Sequence, residues 1–135
     1  MPILWRPNMA VGDATIDADH EHLIDLINEI ETTLQAPGGK ATLAASLDQL
    51  AVYGKEHFER EEGLMRRIGY PGLAAHHQAH IELRAQLGTL RGKIESASLQ
   101  DLPAKEAESL AALLRHWLLD HVFREDMQFK PFLKG

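Results

Sequence analysis

The chain has no cysteine among its 135 residues. That removes disulfides, thiolate-held zinc and iron–sulfur clusters from consideration, and it suits a reducing compartment. A basic excess is also missing. Against 14 lysines and arginines stand 20 aspartates and glutamates, a net charge of −6 with histidine neutral, and no run of Lys or Arg breaks the pattern. A nucleic-acid partner would be met by a basic patch, so none is expected. No stretch approaches the roughly 18 consecutive apolar residues of a membrane span. The N-terminus, MPILWRPNMAVGDATID, has no basic start followed by a long apolar run, unlike a secretory signal. The expectation is a cytoplasmic protein with no membrane insertion.

What remains is enough hydrophobic residue, 44% of the chain, for one domain over residues 1–135 with a real core. After a non-helical arm of about sixteen residues, four segments carry apolar side chains at alternating spacings of three and four, the period of a helix face. DADHEHLIDLINEIETTLQA sets Leu23, Ile24, Ile27, Ile30 and Leu34 on one stripe, with Asp17 as the expected N-cap, and stops at PGGK, residues 37–40. The second segment, from about Thr42 to Ile68, aligns Leu43, Leu47, Leu50, His57, Glu61 and Leu64 before GYPG ends it. The third, opened by Pro71, reads Leu73, His76, His80, Leu83, Leu87, Leu90 and Ile94. A loop near 97–102 leads to Pro103 and a fourth segment with Leu110, Leu114, Trp117, Leu118 and His121. The tail MQFKPFLKG is aromatic enough to pack back on the body. No segment reads as a strand. Short loops between long helices imply antiparallel neighbours, so the expected fold is all-α: an up-down-up-down antiparallel four-helix bundle with a non-helical N-terminal arm.

Five of the eight histidines fall on the stripes that should form the core. His76 and His80 lie about 40° apart around their helix, as do His57 and Glu61. His121 extends the fourth stripe, and His20 lies four residues before Ile24 on the first. A single histidine on an apolar face is more often a hydrogen-bonded core residue than a ligand. Five with a carboxylate are another matter, because each buried polar group left unpartnered costs on the order of 1–3 kcal/mol. A domain stable by about 5–15 kcal/mol cannot carry six of them. A metal satisfies them together. His22, His77 and His116 are off these stripes and are expected to face outward.

Imidazole and carboxylate without sulfur suit iron, manganese, zinc or copper and disfavour calcium and magnesium. Five imidazoles exceed the needs of one tetrahedral zinc, so two metals are the economical reading. The Glu-x-x-His pairs of carboxylate di-iron bundles are absent, which demotes a ferritin-like oxidase.

These residues resemble the hemerythrin family, and within it the single-domain bacterial hemerythrins, over nearly the whole chain. The match runs through IDADH, HFEREE, YPGLAAHHQAH and WLLDHVFRED, giving His, His-x3-Glu, His-x3-His and His-x4-Asp in that order. Any one pair is weak; the ordered set is specific. Myohemerythrin, a relative, is itself a standard example of the up-down-up-down bundle, so the agreement in topology is not independent support. The resemblance implies two non-heme iron ions, one on His76, His80 and His121 and the other on His20 and His57. Glu61, Asp126 and an oxo or hydroxo group would bridge them. The second iron would be five-coordinate, with dioxygen binding reversibly at its vacancy, flanked by Trp117, Leu118 and Val122. Trp5 matches a tryptophan in the family's N-terminal arm and is expected to cover the end of the site. Periodicity alone would not select Asp126, which lies about 140° from the phase of His121. A π-type turn or a bend would bring it round; Glu125, at i+4, is the rival.

Three functions compete. The first is reversible oxygen binding, by a carrier, store or delivery protein with dioxygen as partner and transient contact with an oxygen-consuming protein. The second is a module sensing oxygen, redox state or nitric oxide, disfavoured because no linker or signalling segment is attached. The third is a di-iron peroxidase-like enzyme, disfavoured because one vacancy without an acid–base group gives catalysis little to work with. The expectation is a binding protein and not an enzyme.

Overall fold

The computed structural model describes residues 3–35, 40–96, 104–121 and 126–134, with backbone alone at 34–35, 40–42, 93–96, 104–107 and 134. Helices α1 (Ala14–Gln35), α2 (Lys40–Ile68), α3 (Leu73–Ser96) and α4 (Ala104–Asp120) form a four-helix bundle, and the described residues contain no strand. α1 packs against both α2 and α4, and α2 against α3. No helix among the described residues is long and apolar enough to cross a membrane.

The start of α1 differs from the sequence expectation. Asp13, not Asp17, is the N-cap: its Oδ1 accepts the backbone N–H of Ile16 at 3.0 Å. The Asp17 carboxylate reaches back instead, accepting from the N–H groups of Val11 and Gly12 at 2.7 and 3.3 Å. Both aspartates can cap, and the one that wins opens the helix earlier, at Ala14. The arm ahead of it contains a 3₁₀ turn at Pro7–Met9. Asn28 pins the arm to α1 by accepting from the Ile3 N–H at 2.8 Å and donating to its carbonyl at 2.9 Å.

The stop of α2 falls where GYPG places it. Gly69 takes a left-handed φ of 68°, its N–H reaches the Arg66 carbonyl, and the Tyr70 N–H reaches the Met65 carbonyl at 2.9 Å. This is the Schellman arrangement that glycine permits without strain. α3 then begins at Leu73, so Pro71 stands in the turn before the helix and not within its first turn. The expected loop at 97–102, Pro103 and the PGG of 37–39 lie outside the described residues.

The expected stripes supply most of the core, with Leu73, Leu83 and Leu110 half-buried against it. Leu23, Ile24, Ile27, Ile30, Leu43, Leu47, Leu50, Leu87, Leu90 and Leu114 are buried, whereas the side chains of Leu34 and Ile94 fall outside those described. The buried residues form two apolar clusters. The larger holds Ile24, Leu50, Phe58, Leu114, Trp117 and Leu118 among others; the smaller holds Val11, Ile16, Leu64, Met65 and Phe129. The tail thus packs back on the body through Phe129, which is fully buried. Along α1 the order is Ile16, His20, Leu23, and along α2 it is Leu50, His57, Glu61, Leu64. The bundle interior therefore has a polar layer between two apolar ones.

Candidate metal centre

Seven polar side chains make that layer: His20 from α1, His57 and Glu61 from α2, His76 and His80 from α3, His121 just beyond α4, and Asp126 at the start of a 3₁₀ turn, Asp126–Gln128. Each is at most 3% exposed. Spacing explains how six of them arrive together, since four residues on a helix return to nearly the same face. Asp126 arrives differently. The backbone at His121 is π-helical, and the chain resumes as the 3₁₀ turn that aims the carboxylate inward. The rival Glu125 and the proposed pocket residue Val122 lie outside the described residues.

The two carboxylates divide the imidazoles between their oxygens. Glu61 Oε1 lies 3.0 Å from His80 Nε2, 3.3 Å from His121 Nε2 and 3.4 Å from His76 Nε2. Asp126 Oδ1 faces the same group, 2.8 Å from His76 Nε2 and 2.9 Å from His121 Nε2. The opposite oxygens serve the other group. Glu61 Oε2 is 3.1 Å from His20 Nε2 and 3.2 Å from His57 Nε2, and Asp126 Oδ2 is 2.7 Å from His20 Nε2. Taking one donor atom per residue, Glu61, His76, His80, His121 and Asp126 lie within 4.8 Å of one another, as do His20, His57, Glu61 and Asp126. Either set could hold a metal ion, and the two share both carboxylates.

The electrostatics fit a site shaped for cations. Burial alone would raise the Glu61 carboxyl, but the imidazoles of His57, His121 and His20 hold it well below the ordinary carboxylate value. Burial and the Glu61 charge oppose ionisation of Asp126, yet His121 and His20 keep it low as well. Burial likewise disfavours charged imidazoles, and the two carboxylates outweigh it, lifting His20 and His76 to about 9 and His121 to about 10. His57 is raised too, against its burial, by Glu61 and Asp19. A metal ion entering here would compete with protons for the same nitrogens. His57 Nε2 and Asp126 Oδ2 are buried and, though 3.2 Å from Glu61 Oε2 and 2.7 Å from His20 Nε2 respectively, lack hydrogen-bond geometry to them, as atoms aimed at a cation would.

Three features were not legible beforehand. Asp19, which is 4% exposed, accepts from His57 Nδ1 at 3.0 Å. Burial would raise its carboxyl, but His57, Arg60 and Tyr53 hold it far below the usual range. Phe58 stacks on the His80 ring, with centroids 4.1 Å apart and planes at 11°. Glu62, next in the chain to Glu61, accepts from His80 Nδ1 at 2.8 Å and also from His77 Nδ1. His77 is nevertheless exposed, as are His22, whose ring lies 4.3 Å from that of Tyr53, and His116.

Around the polar layer, Trp117 and Leu118 are buried in the same apolar cluster as Phe58. The indole N–H of Trp117 donates to the Leu83 carbonyl at 2.9 Å, so the polar end of that ring is already satisfied. On the opposite side the rings of Phe129 and Tyr70 lie 5.9 and 6.4 Å from His76. Trp5, expected to cover the end of the site, packs half-buried on the larger apolar cluster, because the paired hydrogen bonds at Asn28 lay the start of the arm along α1.

The hemerythrin HHE cation binding domain matches residues 11–133. The chain is 25% identical to a bacteriohemerythrin of Stenotrophomonas maltophilia over 98% of this chain and 82% of that one. It is 28% identical to a bacteriohemerythrin of Methylococcus capsulatus over 88% and 86%, and 24% identical to a myohemerythrin of Riftia pachyptila over 96% and 92%. A crystal structure of wild-type hemerythrin superposes with a TM-score of 0.82 over the whole of both chains at 23% identity, a likeness of fold. With a match that spans all four helices and the tail, the chain belongs to the hemerythrin family.

Proposed function

We propose that this centre holds two non-heme iron ions and binds dioxygen reversibly, and that residues 1–135 form one oxygen-binding domain. The observation that carries the reading is the unequal sharing of Glu61 and Asp126: five donors gather on one side and four on the other, one imidazole fewer. Two ions of like coordination would leave the side of His20 and His57 open to an exogenous ligand. The nitrogen and carboxylate donor set fits iron, and membership in the family favours iron over manganese or zinc. When bound, a reduced iron pair supplies the electrons with which dioxygen is held and then released.

The chain's own residues do the rest. Glu61 and Asp126 fix the separation of the two positions by offering opposite oxygens. With an oxo or hydroxo group they would complete the bridge between the ions. His76, His80 and His121 fill one side, which confines exchange to the other. Trp117 and Leu118, buried in the apolar cluster beside the polar layer, keep the open side apolar, so that water and protons do not reach it freely. The role is that of a carrier or store that passes oxygen on by transient contact with an oxygen-consuming protein, and turnover is no part of it. Anaerobic reduction of the iron-loaded protein, admission of oxygen and removal of oxygen should carry the visible absorption of the site through repeated identical cycles. One irreversible oxidation on first exposure would overturn the reading.

A further inference from the structure

Behind His57, on the side away from the metal positions, lies a cluster that the oxygen-binding reading does not use. Asp19 accepts four hydrogen bonds: from His57 Nδ1 at 3.0 Å, from Arg60 Nε at 2.8 Å and Nη2 at 2.7 Å, and from the Tyr53 hydroxyl at 2.7 Å. The Arg60 guanidinium also lies over the Tyr53 ring, 5.5 Å from its centroid. An imidazole that gives its distal N–H to a carboxylate becomes a stronger donor at the nitrogen facing the metal. How much stronger depends on the charge left on that carboxylate. At Asp19 a permanent cation takes both oxygens in a planar fork, the geometry in which guanidinium and carboxylate pair best, and a phenol takes one oxygen as well.

We propose that Arg60 and Tyr53 are positioning residues acting through Asp19: they hold its carboxylate against His57 and drain its charge, and so set how strongly His57 donates to a metal in the two-imidazole side. The His80 side has a different counterpart. Glu62 accepts from the Nδ1 of His80 and of His77, so its second partner is an imidazole where Asp19 has a guanidinium. The two sides are thus tuned separately, and the side with the open position is the one moderated by arginine. This inference rests on the metal-centre reading above. The rival account is that Arg60 and Asp19 merely staple α2 to α1.

The test uses the full chain loaded with zinc, which is diamagnetic, and follows the His57 Nδ1–H proton by NMR. Arg60→Gln leaves more charge on Asp19 and should move that resonance downfield. Tyr53→Phe should move it the same way by less, and Asp19→Asn should move it upfield. In the iron-loaded protein the midpoint potential should fall in Arg60→Gln and rise in Asp19→Asn. Opposite signs are the signature, since a staple lost at either end would lower the melting temperature alike in both variants. Tyr53→Phe removes one hydroxyl and keeps the test alive should a charge variant fail to fold. Two bound metals with the resonance and the potential unmoved, or moved in one direction by all the variants, would overturn the inference. Failure to take up two metals would instead strike at the metal centre itself.

Discussion

His20 and His22 stand two positions apart, about 160° around one helix, and only His20 reaches the interior. His76, buried, and His77, exposed, are one position and about 100° apart, and again only the first reaches the interior. Replacing His20 or His76 by Ala should cut metal occupancy and leave neighbouring donors unpaired. His22→Ala should change stability by no more than about 0.5 kcal/mol, as surface substitutions usually do, with occupancy unchanged. Elemental analysis and thermal melts on the four variants, His77→Ala included, check this, and loss of metal in His22→Ala with retention in His20→Ala would invert the register of α1. Glu62 forms a different contrast. Because it holds His80 Nδ1, Glu62→Ala should lower metal affinity by about 10- to 100-fold, read by competition with a chelator; unchanged affinity would make that hydrogen bond idle. Helical phase separated the buried histidines from the exposed ones in advance. It was silent on Glu62 and Asp19, whose partners lie on another helix and depend on how the helices pack. It also hid Phe58, which sits one position from His57 and off the stripe, yet packs on His80.

Among the elements, α2 and α3 behave as periodic amphipathic helices, and every position on them proposed to hold metal follows from spacings of four. The end of α4 does not. Asp126 reaches the site because regular helix stops at Asp120 and a 3₁₀ turn starts at Asp126, a change of backbone geometry that no 3.6-residue period contains. Only the resemblance to known hemerythrins pointed to it. The N-cap of α1 was misjudged for a related reason: GDATID offers two aspartates four apart, and the choice between them is made by the arm that Asp17 holds. Leu118 tests what α4 contributes to the surroundings of the centre. It is 1% exposed, so Leu118→Ala should destabilise by about 2–5 kcal/mol through lost burial and the cavity left behind. By admitting water it should also speed autoxidation of the oxygenated protein with iron content unaltered. An oxygenated form as long-lived as that of the unaltered chain would reduce Leu118 to packing.

The whole molecule couples the metal to folding through its protons. In the metal-free chain His20, His76 and His121 titrate at about 9, 9 and 10, above the 6.5 of an unfolded chain. Raised pKa values stabilise the fold fully below about 6.5, and that contribution is lost as pH climbs through 9 to 10. Glu61 and Asp126, depressed from 4.5 and 3.8, act oppositely: their contribution is present above those values and is lost as pH falls below them. The metal-free protein should therefore melt highest at mildly acidic pH and weaken toward pH 10. The loaded protein, in which metal replaces the protons, should melt well above it and show no such alkaline decline. Denaturation curves of both forms against pH check the sign, and a metal-free form that gains stability from pH 7 to 10 would contradict it.

Seven side chains are proposed to act as one centre for two ions. Iron per chain, measured by elemental analysis after anaerobic reconstitution with ferrous iron and removal of loosely bound metal, tests it most directly. Two atoms per chain are predicted, falling in Glu61→Ala, where both positions lose a shared oxygen. One atom per chain, or an undiminished two in that variant, would contradict it.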